Sequence, residues 1–228
     1  MAVRVHVAFT PAEEVSAPVG IVVDVLRATS TITQALAAGY RRVLCCAEIE
    51  EARALRETLE NAVVGGEREA VRIEGFEVGA SPREFVEPQA ETLILTTTNG
   101  TRSILAAAER CDEVVLGSLL NLDAVAEAAR SGGKDVVVLC SGFKGAFALD
   151  DAYCAGRIVA LLDAKRSDAG IAAELVARSF PTALEALNAR TYGPPGLEKD
   201  IEFCAQESVL DVVPRFNGMV GPAAEIVA

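Results

Sequence analysis

Apolar and polar positions along this chain alternate between short apolar runs and longer stretches with helical spacing. Residues 3–8 switch character at every position, the two-residue period of a half-buried strand. Residues 20–25 form a continuous apolar run, as expected for a strand covered on both faces. Residues 29–38 carry apolar side chains at helical spacing and stop at Gly39, a residue suited to ending a helix. The same reading predicts strands at 42–46, 63–66, 93–96, 114–116 and 136–140, with helices at 49–60, 101–109, 121–130 and 149–162.

Strands interleaved with helices of about ten residues build right-handed βαβ units. The expected fold is therefore α/β, three layers deep, with a largely parallel or mixed sheet. Beyond residue 165 the pattern becomes helical, at 169–179, 181–189 and 197–206. The tail, 209–228, is punctuated by Pro and Gly and suits a short strand or hairpin. We read residues 1–228 as one α/β domain, with 165–228 as a candidate C-terminal helical subdomain. The stretch 66–88 is irregular for its length, which favours a functional loop.

Composition narrows the chemistry. Aromatics make up 5% and Trp is absent, so Val, Leu, Ile and Ala must fill the core. No apolar run approaches the roughly 18 residues that span a bilayer. The start of the chain lacks a basic region and a small-residue cleavage site, so a cytoplasmic protein is expected. Six cysteines fall outside any C-x-x-C pairing and only one His is present, which argues for reduced thiols and against zinc. The net charge of −12 disfavours nucleic acid and anionic membranes as partners. It also means that a phosphate site needs a local positive field from arginines, helix N-termini or a divalent cation.

Three strand-to-helix turns carry suitable chemistry, where open parallel sheets bind their ligands. The first, 24–31, is Asp-Val-Leu-Arg-Ala-Thr-Ser-Thr: Asp24 at a strand end, Arg27 in the turn, and the hydroxyls of Thr29, Ser30 and Thr31 at the helix start. The second offers Thr97, Thr98, Asn99, Gly100, Thr101 and Arg102; the third offers Ser141, Gly142 and Lys144, then Asp150 and Asp151. Hydroxyls, guanidinium groups and free amides suit phosphate oxygens. The plainer alternative is that the hydroxyls only cap helices and that Asn99-Gly100 is only a turn.

Other chemistries lack their signatures. Ala146 stands where a cysteine phosphatase loop starting at Cys140 needs Arg, and no Walker or dinucleotide glycine motif occurs. His6, early in the first strand, is no credible base for a catalytic triad. A divalent metal, Mg²⁺ by preference for oxygen ligands, is then the economical activator. Asp24 and Glu67 are its first candidate ligands, followed by Asp150 and Asp151.

These turns also carry a resemblance. The runs 24–32, Gly66-Glu67, 75–82, 97–102 and 140–156, with Gly196-Leu197 and 200–205 near the end, resemble the 2-phosphosulfolactate phosphatase family. The resemblance implies an α/β three-layer fold and Mg²⁺-dependent hydrolysis of a phosphomonoester. In the family's named reaction, 2-phosphosulfolactate yields sulfolactate and phosphate, a step in coenzyme M synthesis. Two departures stand out: Ala80-Ser81-Pro82 in place of Asn-Ser-Pro, and Pro195-Gly196-Leu197 in place of Gly-x-His-Leu. They bear on substrate recognition rather than on phosphate chemistry.

The resulting expectation gives Asp24, Arg27 and Asn99 catalytic roles, with Mg²⁺ on Asp24 and Glu67. Thr29, Ser30, Thr31, Thr97, Thr98, Gly100, Thr101, Ser141 and Gly142 would bind a small phosphorylated anion, and Arg102 or Lys144 its second acid group. Whether water attacks directly or a carboxylate is transiently phosphorylated is left open. So are a homodimer, a different 2-phospho acid as substrate, an α/β transferase, and a non-catalytic binding protein for a phosphorylated or sulfonated metabolite.

Overall fold

The computed structural model describes residues 3–228. The elements run β1 (Arg4–Ala8), β2 (Ala17–Val23), α1 (Ala28–Ala37), β3 (Arg42–Cys45), α2 (Ile49–Thr58), β4 (Ala62–Arg68) and β5 (Val71–Arg72). Then follow β6 (Thr92–Thr96), α3 (Gly100–Arg110), β7 (Cys111–Gly117), α4 (Leu122–Ser131), β8 (Val136–Cys140), α5 (Leu149–Leu161) and β9 (Lys165–Arg166). The chain closes with α6 (Asp168–Arg178), α7 (Ala183–Asn188), α8 (Glu198–Cys204), β10 (Arg215–Val220) and β11 (Ala223–Val227).

One mixed sheet holds all eleven strands in the order β5-β4-β6-β3-β11-β10-β7-β2-β8-β1-β9. Strands followed by helices pair in parallel: β2 with β7 and β8, β6 with β3 and β4. The alternation of side chains along each strand divides the core between faces. On β2, Val19, Ile21 and Val23 pack with α4, α5 and α6, whereas Val22 packs with α1 and α3. On β3, Val43 and Cys45 join the α1 and α3 side, while Leu44 faces α2. Helices therefore cover both faces, giving the three-layer α/β/α fold expected from the strand–helix alternation.

The tail goes further than the short hairpin its Pro and Gly suggested. β10 and β11 pair antiparallel, and the hairpin inserts into the middle of the sheet, β10 against β7 and β11 against β3. Without it the sheet would fall into two separate ladders. The C-terminal portion is thus helical only as far as α8, and its last strands complete the central layer.

The 66–88 segment is partly structured. It forms the β4–β5 hairpin, a bridge from Gly65 to Val78, and a single 3₁₀ turn at Pro82–Glu84. His6 is partly buried, with its Nδ1 2.9 Å from the Ser167 hydroxyl. No helix among the described residues is long and apolar enough to cross a membrane.

Candidate active site

At the carboxyl ends of β2, β6 and β8, helices α1, α3 and α5 present their N-termini to one cavity of about 340 Å³. Asp24, Arg27, Glu67, Thr97, Thr98, Asn99, Lys144 and Asp150 line it. The three turns singled out in the sequence, together with Glu67 of β4, therefore meet at one place. Nine of the expected site residues do not line it: Thr29, Ser30, Thr31, Gly100, Thr101, Arg102, Ser141, Gly142 and Asp151.

The hydroxyls of the first turn are consumed locally. Thr29 Oγ1 donates to the Asp24 carbonyl at 2.9 Å and accepts from the Asp24 amide at 3.0 Å. Ser30 Oγ donates to the Val25 carbonyl and Thr31 Oγ1 to the Ala80 carbonyl, both at 2.8 Å. These side chains are fully buried. They tie the turn together through backbone carbonyls, and none of them caps α1. Thr101 Oγ1 lies 3.4 Å from Thr97 Oγ1. Arg102, two-thirds exposed, pairs with Glu48 on the outer surface.

Asp24 sits immediately after β2, its side chain nearly buried at 7% exposure. Its Oδ1 accepts from the Ala28 amide at 3.1 Å, so it caps α1 while lining the cavity. Burial pushes its carboxyl up to about 7; the Ala28 bond opposes this, Asp150 and Glu67 add repulsion, and Arg27 relieves some of it. Glu67 Oε1 accepts from the amide and hydroxyl of Thr98, each at 2.9 Å, and Oε2 accepts from the Ala70 amide at 2.6 Å. β4 is thereby tied to the second turn.

Asp150 and Asp151 open α5 and divide their duties. Asp151 reaches the Val25 amide with Oδ1 and the Gly142 amide with Oδ2, each at 2.9 Å. With both oxygens engaged, it braces the first turn against the third, and it does not line the cavity. Asp150 faces the cavity and accepts a short hydrogen bond from the Tyr192 hydroxyl. Burial raises its carboxyl, opposed by that bond and by the charge of Arg190.

Gly142 and Gly100 are required by geometry. Gly142 has φ +67°, and a Cβ there would lie 2.4 Å from the Ala146 carbonyl oxygen. A Cβ on Gly100 would fall 2.3 Å from Ala28 Cβ and 2.8 Å from Asp24 Oδ2. The start of α3 thus packs directly onto the Asp24 turn. The side chain of Asn99, just before it, does not cap α3 and lines the cavity.

The last third of the chain supplies residues that local patterns did not flag. Arg27 Nη1 donates to Asp200 Oδ2 at 2.6 Å, and Ser81 Oγ donates to Asp200 Oδ1 at the same distance. Arg190, Tyr192, Gly193, Pro194 and Leu197 close one wall, joined by Phe143 and Glu69. The rings of Phe143 and Tyr192 stack at 4.8 Å between centroids. The family-pattern run 200–205 was the one signal that pointed towards Asp200. Arg190 and Tyr192 had none.

A profile of the family described as 2-phosphosulpholactate phosphatase matches residues 6–218. The chain belongs to that family. Its relatives include a probable 2-phosphosulfolactate phosphatase of Clostridium acetobutylicum, 36% identical over 91% of this chain and 94% of the relative. A Thermotoga maritima protein of the same name is 38% identical, covering 94% of this chain and 96% of its own. One from Pseudothermotoga lettingae is 39% identical, with coverage of 93% and 95%. The family's name is that of a phosphoric monoester hydrolase. One departure from its sequence pattern, Ala80, lines the cavity, and the other, at Gly196, adjoins the lining residue Leu197.

Among the described residues, no three His, Cys, Asp or Glu side chains are gathered closely enough to grip a cation unaided. Mg²⁺ typically takes one or two carboxylates and completes its shell with water and substrate phosphate. Asp24, which Asp150 and Glu67 both repel, offers with either of them the two carboxylates of that mode of binding.

Proposed function

We propose that this chain hydrolyses a small 2-phospho acid, with 2-phosphosulfolactate going to sulfolactate and phosphate as the first candidate. The observation that carries the reading is Asp24: a cavity-lining carboxyl between three helix N-termini, raised to about 7 by burial and by its neighbours Asp150 and Glu67. Family membership supports the reaction class.

The residues divide the work. The phosphoryl group lies against Arg27 and Asn99, where guanidinium and amide donors meet the positive ends of α1 and α3. Asp24, with Glu67 or Asp150, would hold Mg²⁺. When bound, Mg²⁺ supplies positive charge to phosphate oxygens and lowers the pKa of a ligated water. Asp24 is then held ionised, whereas alone it exchanges its proton near neutral pH. Six free cysteines, mostly buried, suit the reducing cytoplasm in which coenzyme M synthesis would use such an enzyme.

The test is phosphate release from a panel of 2-phospho acids, with Mg²⁺ and with chelator. Cation-dependent release, fastest with 2-phosphosulfolactate, is expected. Tight binding of the panel without release would mark a binding protein instead.

A further inference from the structure

Cations on this cavity wall differ in how far their charge is already spent. Arg27 is paired with Asp200 at 2.6 Å. Lys144 Nζ is 3.1 Å from Glu69 Oε1, and both side chains are largely exposed. Arg190 is different. Its guanidinium makes one hydrogen bond, from Nη1 to the Leu187 carbonyl at 3.2 Å, and no carboxylate among the described residues lies within ion-pair distance. Most of the five donors of an arginine fork are therefore uncommitted.

Arg190 is also held in place from both sides. Its bond to Leu187 ties it to the end of α7. Two residues on, Tyr192 donates to Asp150 and stacks on Phe143 with planes 23° apart. Fixing the segment at both ends limits the ordering cost when a ligand engages the fork. Its charge is felt inside the site, since it lowers the proton affinity of Asp150.

A 2-phospho acid carries a second anionic group on the carbon that bears the phosphate or on the next one. Arg27 and Asn99 serve the phosphate, so that second group needs its own receptor. Of the two residues first expected for it, Arg102 is off the cavity, and Lys144 lines it but shares its charge with Glu69, whereas Arg190 has no carboxylate partner among the described residues. We propose that Arg190 receives the chain acid of the substrate, carboxylate or sulfonate, and so sets specificity for 2-phospho acids over simple phosphomonoesters. This rests on the phosphatase reading above.

The experiment compares wild type, Arg190→Met and Arg190→Lys. It measures KM and kcat with 2-phosphosulfolactate and with 2-phospholactate, which has a carboxylate and no sulfonate, and the inhibition constant of inorganic phosphate. Arg190→Met should raise KM about ten- to a hundredfold, the worth of one charge-assisted pair, with a smaller change in kcat. Inhibition by inorganic phosphate, which has no chain acid, should stay within about twofold of wild type. Arg190→Lys should recover part of the loss, because it keeps the charge and loses the fork. A rise with both substrates assigns the contact to the carboxylate, and a rise with 2-phosphosulfolactate alone to the sulfonate. An unchanged KM for both, or phosphate inhibition weakened as much as substrate binding, would overturn the proposal while leaving the phosphatase reading standing. Absence of phosphate release by the wild type would instead remove the reading on which it rests.

Discussion

Arg27 and Asp200 lie 173 positions apart in the chain, yet their side chains meet at 2.6 Å with 9% and 6% of their surfaces exposed. The pair aims a guanidinium at the cavity and anchors α8 to the first turn. Ser81 binds the other oxygen of Asp200, which draws the 66–88 segment into the same knot.

Removing one partner of a buried ion pair leaves the other charge uncompensated. Asp200→Ala should therefore destabilise the protein by about 3–5 kcal/mol, measured by urea unfolding. Turnover should fall as well, because Arg27 loses the group that orients it. Saturating inorganic phosphate should restore part of the stability by supplying a counter-charge.

Gly100 tests the contact between the second turn and Asp24. In Gly100→Ala, the new methyl group would sit 2.3 Å from Ala28 Cβ and 2.8 Å from Asp24 Oδ2, and it cannot stay there. The start of α3 must move off the Asp24 turn, at a cost of about 1–3 kcal/mol. Activity should drop more than that stability loss accounts for, as judged by comparing kcat/KM with the shift in Tm.

The alternation of strands and helices was legible because it depends on local periodicity, and β8 falls at 136–140 as read. The end of β2 was misplaced. Val25 is fully buried and looks like a strand residue, but it belongs to the turn and is buried by packing across it. The central position of the last hairpin was not legible. β10 contains Arg215, Asn217 and Gly218 and reads as an edge strand; only the non-local pairing of β10 with β7 and of β11 with β3 reveals the hairpin's place. At the site, charged residues at strand ends were visible in the sequence. The hydroxyls of 29–31 could not be assigned, since a threonine that binds backbone and one that binds phosphate have the same local signature. Arg190 and Tyr192 reach the cavity only because α7 and the loop after it fold back on α5.

The raised carboxyl of Asp24 has a consequence for pH. Burial first, then repulsion from Asp150 and Glu67, lifts it from the ordinary carboxylate range to about 7, so the folded state retains a proton that the unfolded chain releases. The stability this contributes is complete below about pH 4 and is lost as pH rises through about 7. Without divalent cations, Tm should fall between about pH 5 and 8. Mg²⁺ should counter the fall at the upper end and expel protons as it binds, visible by calorimetry in buffers of different ionisation enthalpy. A flat Tm profile with no proton release would show that Asp24 does not titrate in this range.

The most direct measurement is phosphate release from 2-phosphosulfolactate by the wild type and by Asp24→Asn, each with Mg²⁺ and with chelator, alongside circular dichroism and Tm. The substitution keeps size and the acceptor for the Ala28 amide while removing the ionisable group. The expected result is Mg²⁺-dependent release by the wild type and a loss on the order of a hundredfold or more in a folded Asp24→Asn protein. A folded Asp24→Asn protein that releases phosphate at the wild-type rate would contradict the central role of Asp24 in the reaction.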